Sequence, residues 1–252
     1  MSESPAEPPA RAGGLSRRSL VTETWFVQLA FLVPGVTVAV DVLAAHVGGA
    51  SDINRFPTLV PGHPVENLVL GIFSYLAVGA LVPLALLLLA RTGQDPEVLG
   101  LRRAGLRDEI LPGTGIAAAG FGTAILVSVP LGILLAGHSK LLTQIPTGHV
   151  PKYYILYGLA VSAVTAVTEE TLVSGYLLTR LDQLGWDPRR ALALSLTLRT
   201  SYHVYYGLGF LLTIPFGYFA TRSFQKHQRL ARPIVAHFLY DAVLITISVL
   251  AT

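Results

Sequence analysis

The chain of 252 residues contains no cysteine, and only 13% of it is charged. The missing cysteine excludes disulfides, a thiol nucleophile and cysteine-ligated zinc. The shortage of charge argues against a soluble domain, where about 25% is usual. No histidine is followed by glutamate and there is no Gly-x-Ser-x-Gly, so the His-Glu-x-x-His metallopeptidase helix and the serine hydrolase elbow are both absent. What the chain has instead is oil: 52% of its residues are hydrophobic, and the net charge is only +3. A weak basic excess of this kind points to cytoplasmic loops of a membrane protein and not to nucleic acid.

Residues 1–22, rich in Pro, Ser, Ala and Gly, read as a disordered cytoplasmic tail. Residues 23–252 read as an all-α, polytopic membrane domain. A spanning helix needs about 20 mainly apolar residues. Seven segments are predicted to cross: Trp25–Val47, Asn67–Ala90, Leu111–Ala136, Tyr153–Arg180, Ala191–Tyr205, Gly207–Thr221 and Pro233–Ala251. The fifth and sixth are short, and a helical hairpin that stops before the far surface is the alternative. Arg17 and Arg18 precede the first span, which is too long for a signal-peptide core and reads as uncleaved. With a cytoplasmic N-terminus, fourteen of the 18 Lys and Arg residues fall inside and only Arg55, Lys140 and Lys152 outside. That asymmetry obeys the positive-inside rule. The expected location is the cell membrane, crossed several times.

One basic residue is left over, Arg199, inside the fifth segment. It joins Glu169 and Glu170 in the fourth, His203 in the fifth, and His237 and Asp241 in the seventh. An ionisable group near the bilayer centre costs about 2.5–3.5 kcal/mol, so such groups face an interior and mark a pathway or a reaction site. Arg199 and His203 are four residues apart, as are His237 and Asp241, and each pair is predicted to share a helix face. Helical spacing aligns Glu169 with Ser162, Thr165, Tyr176 and Arg180, and turns Glu170 about 100° away. Glu169 is therefore expected to point into the polar interior and Glu170 to brace a neighbouring helix. Asp41 and His46 read as headgroup contacts. Tyr202, Tyr205 and Tyr206 read as an interfacial aromatic cluster, with Tyr202 also close enough to His203 to line a site. Pro130 and Pro215 read as kinks. The small-residue run "GTGIAAAGFG" reads as a close helix contact.

One carboxylate and two imidazoles leave two chemistries open. Glu169, His203 and His237 could ligate a divalent metal such as zinc, whose bound water ionises near neutral pH. Alternatively no cofactor is needed: Glu169 is a general base on water, and histidine donates to the oxyanion.

The segments "EETLVSG", "LRTSYHVYYG" and "HFLYD" resemble the three motifs of the CAAX protease and bacteriocin-processing (CPBP, or Abi) family, over about Tyr153 to the C-terminus. The resemblance implies an intramembrane metalloendopeptidase with Glu169 catalytic, Glu170 its partner, and His203, His237 and Asp241 in the second and third motifs. Its implied substrate is a peptide or membrane-anchored protein, and not nucleic acid. Two positions depart from the family pattern: Ser174 stands where arginine is usual, and Arg199 where phenylalanine is. The cation is therefore expected to have moved between helices, with Arg199 paired to Glu169 or Glu170. Two rival readings are a non-catalytic membrane scaffold or maturation factor, and a proton-coupled transporter.

Overall fold

The computed structural model describes residues 14–47, 63–101, 106–134 and 152–250. Among these residues every regular element is helical: α1 Arg17–Val47, α2 Pro64–Gly79, α3 Leu81–Ala90, α4 Leu106–Leu134, α5 Tyr154–Glu169, α6 Leu177–Gln183, α7 Pro188–Ser201, α8 Thr213–His227 and α9 Ala231–Leu250. Short 3-10 turns cover Pro96–Leu99 and Val204–Leu212, and a π-helical segment, Glu170–Tyr176, joins α5 to α6. The helix α1 starts at Arg17, eight residues ahead of Trp25, so residues 17–22 of the expected tail are helical. Residues 1–13 of that tail lie outside the described residues.

Among the described residues, five helical stretches are long and apolar enough to cross a membrane: Arg17–Thr37, Pro64–Ala90, Arg107–Leu134, Tyr154–Gln183 and Ala231–Leu250. Of the seven expected segments, the fifth and sixth form helices shorter than a span. The helices α7 and α8 have 14 and 15 residues, and the 3-10 segment Val204–Leu212 turns the chain between them. At 1.5 Å per residue such helices are about 22 Å long, short of a hydrocarbon core of about 30 Å. The hairpin alternative describes them. It returns the chain to the side it came from, so the charge asymmetry is the same under either count.

Local chemistry accounts for the breaks. Pro83 lacks the N–H that would bond the Gly79 carbonyl, and the long second span divides at Ala80. Asp187 caps α7: its Oδ1 accepts from the amides of Arg189 (2.9 Å) and Arg190 (3.2 Å), and Pro188 fills the first helical position. Gly100 ends the first 3-10 turn at φ 74°, and its carbonyl accepts from Leu230 N at 3.2 Å, tying that turn to the start of α9. Any Cβ there would lie 2.5 Å from the Gln228 carbonyl oxygen. Pro215 sits in the first turn of α8, where a missing N–H costs nothing, so it starts that helix and does not kink it.

Lipid tails are as apolar as leucine, so apolar burial alone gives membrane helices little reason to associate; packing and polar contacts hold them. The outward side chains, such as Leu111, Leu126 and Leu134, are large and exposed. The interior combines an apolar cluster from α1, α3, the π segment and α6 (Phe31, Leu89, Leu172, Leu177) with buried polar links. Gln28 Nε2 on α1 donates to the Leu172 carbonyl at 2.9 Å, and Ser195 Oγ on α7 to the Val173 carbonyl at 3.2 Å. Arg180, fully buried, donates from Nη2 to Glu23 Oε1 (2.5 Å), which also accepts from Tyr176 OH (2.6 Å), and from Nη1 to Gln94 Oε1 (2.9 Å).

Candidate active site

The site is built where the α-helix changes its pitch. Glu169 is the last residue of α5 and Glu170 the first of the π segment, where Leu177 N reaches back five residues to the Leu172 carbonyl. A π turn holds an extra residue per turn, and such turns frequently occur at functional sites. Two of its neighbours in space, α1 and α7, satisfy carbonyls of this wider turn through Gln28 and Ser195. The π segment is therefore held by tertiary contacts.

Glu170 is completely buried and fully subscribed. Arg199 grips it with both terminal nitrogens, Nη1 to Oε1 at 2.7 Å and Nη2 to Oε2 at 2.9 Å. Ser174 Oγ donates to Oε2 at 2.7 Å, and His237 Nδ1 lies 2.8 Å from Oε1. Arg199 Nη2 also reaches Ser174 Oγ at 3.3 Å. The guanidinium on α7 thus lies against the very serine that stands at the usual arginine position, and reaches the same carboxylate from the other side. Two close approaches make room for it and for its neighbour Tyr202. A Cβ at Gly217 would sit 2.8 Å from Arg199 Cδ, and one at Gly35 would sit 2.9 Å from Tyr202 Cβ. Gly217→Val is expected to push the guanidinium off Glu170 and lower the unfolding temperature, which thermal unfolding in detergent would read.

Glu169 is held differently. Tyr202 OH donates to its Oε2 at 2.7 Å, and Arg199 Nη1 is 3.6 Å from the same oxygen, beyond hydrogen-bond range. Its Oε1 takes part in no hydrogen bond or ion pair among the described residues. Tyr202 itself is buried, with its ring edge-on to Phe31 at 5.3 Å. The interfacial reading of Tyr202 is therefore corrected: it is a hydrogen-bond donor inside the bundle. The side chains of Tyr205 and Tyr206, like those of Asp41 and His46, lie outside the described residues.

His237 places a carboxylate at each ring nitrogen: Glu170 Oε1 at Nδ1, and Asp241 Oδ2 at Nε2, 3.3 Å away. The i,i+4 pairing of His237 with Asp241 follows the helical spacing. Phe216 packs against the imidazole at 5.1 Å and under Arg199 at 5.9 Å. His203 departs from the expected geometry. The helix α7 ends at Ser201, so His203 lies beyond it, and the shared face with Arg199 does not form. Instead His203 Nδ1 is 2.8 Å from the Arg199 carbonyl oxygen, and its ring is tilted against Tyr202 at 4.7 Å.

As arranged, these side chains do not fit a metal. Among the described residues no group of three or more histidine and carboxylate side chains is placed to hold one. A ligating imidazole needs a bare nitrogen, whereas the two ring nitrogens of His237 lie 2.8 Å and 3.3 Å from carboxylate oxygens of Glu170 and Asp241. Arg199 meets the charge of Glu170 with both terminal nitrogens.

Fold and site together define a multi-pass helical membrane protein with an acid, guanidinium and imidazole cluster enclosed between its helices. Residues 151–243 match the family described as type II CAAX prenyl endopeptidase Rce1-like, so this segment is similar to the CAAX proteases. The match includes all six residues of the cluster: Glu169, Glu170, Arg199, His203, His237 and Asp241. No curated protein and no solved structure matches the chain.

Proposed function

We propose that this protein is an intramembrane endopeptidase in which Glu169 activates the hydrolytic water without a metal. The observation that carries this reading is the unequal treatment of two adjacent acids. Glu170 spends both oxygens on Arg199, Ser174 and His237, while Glu169 engages only Oε2. Even with His237 charged as well as Arg199, the three acids Glu169, Glu170 and Asp241 leave one negative charge in excess. Glu169, with the fewest donors, carries it. Its Oε1 is the atom left to take a proton. Ser162 Oγ and Thr165 Oγ1, on the turns before it, are buried with no hydrogen-bond partner and suit a file of waters leading in.

Glu169 removes a proton from water as the oxygen attacks the peptide carbonyl carbon. His203, with Nδ1–H donating to the Arg199 carbonyl, meets the tetrahedral oxyanion from Nε2 when the ring carries both protons. Glu169 then returns the proton to the leaving amine as the C–N bond breaks. Glu170, Arg199, His237 and Asp241 are positioning residues that hold the geometry and the charge balance. His237 places the site near the basic end of the bundle, which the charge asymmetry makes cytoplasmic. His237 is five residues from Arg232, roughly 8 Å along the helix axis. The substrate is a peptide, presented at that face by a membrane-anchored protein.

Reconstituted protein should cleave a membrane-anchored peptide in liposomes, and cleavage should survive exhaustive chelation. Loss of cleavage on chelation with recovery on adding zinc would establish the metal mechanism instead. Full complementation by Glu169→Ala together with His203→Ala would mean a non-catalytic scaffold. Proton flux without cleavage would mean a transporter. Tyr202→Phe removes a hydrogen bond to a charged group, worth about 1.5–3 kcal/mol. It is expected to lower kcat roughly tenfold to a hundredfold with little change in KM, since the hydroxyl orients the base and not the substrate. A steady-state comparison of the two parameters checks this.

A further inference from the structure

The small-residue run of α4 has two faces. Gly113 and Gly120 are packed: a Cβ would meet Val235 Cγ1 at 2.7 Å and Phe216 Cα at 3.3 Å respectively. Gly115 and Gly122 face open space, with nothing within 4 Å of a Cβ. The expected close helix contact therefore accounts for one face only. The open face lines a groove between α4 and α8 of about 390 Å³, floored by Pro112, Gly115, Ile116, Ala119 and Phe219. Its mouth carries Arg222, Lys226, His227 and Arg232.

This mouth is strongly cationic. The first turn of α4 together with the end of α8 and the start of α9 brings Arg107, Arg222, Lys226, Arg229 and Arg232 to one end of the bundle, against only Asp108 and Glu109. Glu109 is spoken for: its Oε1 accepts from Arg229 Nη1 at 2.7 Å and its Oε2 from Arg232 Nε at 2.6 Å. Arg222 reaches only Gln225, at 3.1 Å, and Lys226 has no partner among the described residues. Partial desolvation, followed by the charges of Arg232 and Lys226, holds the His227 imidazole below its usual range.

We propose that this groove holds one anionic phospholipid, with an acyl chain laid along the Gly115–Ala119 face and its phosphate between Arg222, Lys226 and Arg232. The occupant follows from two features. The groove lies on the outer flank of the bundle, where the acyl chains are, and its apolar floor ends in cations at the depth of the headgroups. Basic pockets between helices at the cytoplasmic surface recognise anionic headgroups in this way. None of these residues belongs to the glutamate cluster, so the proposal stands or falls independently of the proteolytic reading.

Native mass spectrometry of the full chain, delipidated and then offered equal phosphatidylglycerol and phosphatidylcholine, should show one phosphatidylglycerol retained in preference. The double variant Arg222→Gln, Lys226→Gln should lose about tenfold or more of that preference. Gly115→Leu, which fills the groove without altering charge, should lose retention of both lipids. Arg222→Lys with Lys226→Arg should behave like the parent, which separates lost charge from misfolding. In the unmodified protein, titrating short-chain phosphatidylglycerol should raise the His227 pKa measured by NMR, and inorganic phosphate at the same concentration should not. Equal retention of the two lipids, retention unchanged in the neutral double variant, an unmoved His227, or displacement of the lipid by phosphate or by a prenylated peptide would each overturn the assignment.

Discussion

Replacing Glu169 with glutamine is expected to cut kcat for peptide cleavage by about 10²–10⁴-fold, the usual contribution of a positioned general base, while leaving the fold intact. Glutamine keeps the size of the side chain, and its amide oxygen still accepts from Tyr202 OH. The neighbouring ion pairs are untouched, because Glu169 makes none within hydrogen-bond distance. The variant should therefore unfold near the parent temperature and bind peptide normally. Single-turnover cleavage beside thermal unfolding distinguishes this from a structural loss. If Glu169→Gln cleaves at the parent rate, Glu169 is not the base and the mechanism fails. Glu170→Gln supplies the contrast, because it should lose stability before it loses chemistry.

The second large effect falls on Arg199. Removing one member of a buried ion pair leaves the other charge uncompensated and costs about 3–5 kcal/mol. In Arg199→Leu the uncompensated charge is Glu170, fully enclosed and left with Ser174 and His237 as its only partners. Arg199→Leu should therefore lower the unfolding midpoint steeply and abolish cleavage. The instructive variant is the double replacement Ser174→Arg with Arg199→Phe. It returns the cation to the other side of the same carboxylate and places an aromatic ring where the guanidinium was. Because Ser174 Oγ already lies 3.3 Å from Arg199 Nη2, the new arginine enters the same charge neighbourhood. Stability and activity should recover substantially relative to Arg199→Leu. A double variant no more stable than the single one would show that the position of the cation, and not only its presence, is required.

How much of this was readable beforehand differs from residue to residue. The pairing of Arg199 with the glutamates was legible because a lone charge in lipid is costly, so oppositely charged residues on different spans must find each other. The His237–Asp241 contact was legible because α9 is a regular helix and four residues make just over one turn. The bond from Tyr202 to Glu169 was missed. Tyrosines next to a bend read as interfacial, and no local signal says that this one is covered by Phe31 and Gly35 from a distant helix. The place of His203 was misread because the periodicity of Ala191–Tyr205 contains nothing that ends a helix at Ser201.

The helical class, the membrane setting and the basic end follow from composition and spacing, because the bilayer demands long apolar runs and penalises each stray charge separately. Which glutamate is saturated and which keeps an oxygen for water could not be decided in that way. Both are glutamates, adjacent, on one segment. Their difference comes from a π turn stabilised by Gln28 and Ser195, and from a guanidinium, an imidazole and a phenol delivered by α7, the turn after it and α9. Those distances exist only once the helices have packed.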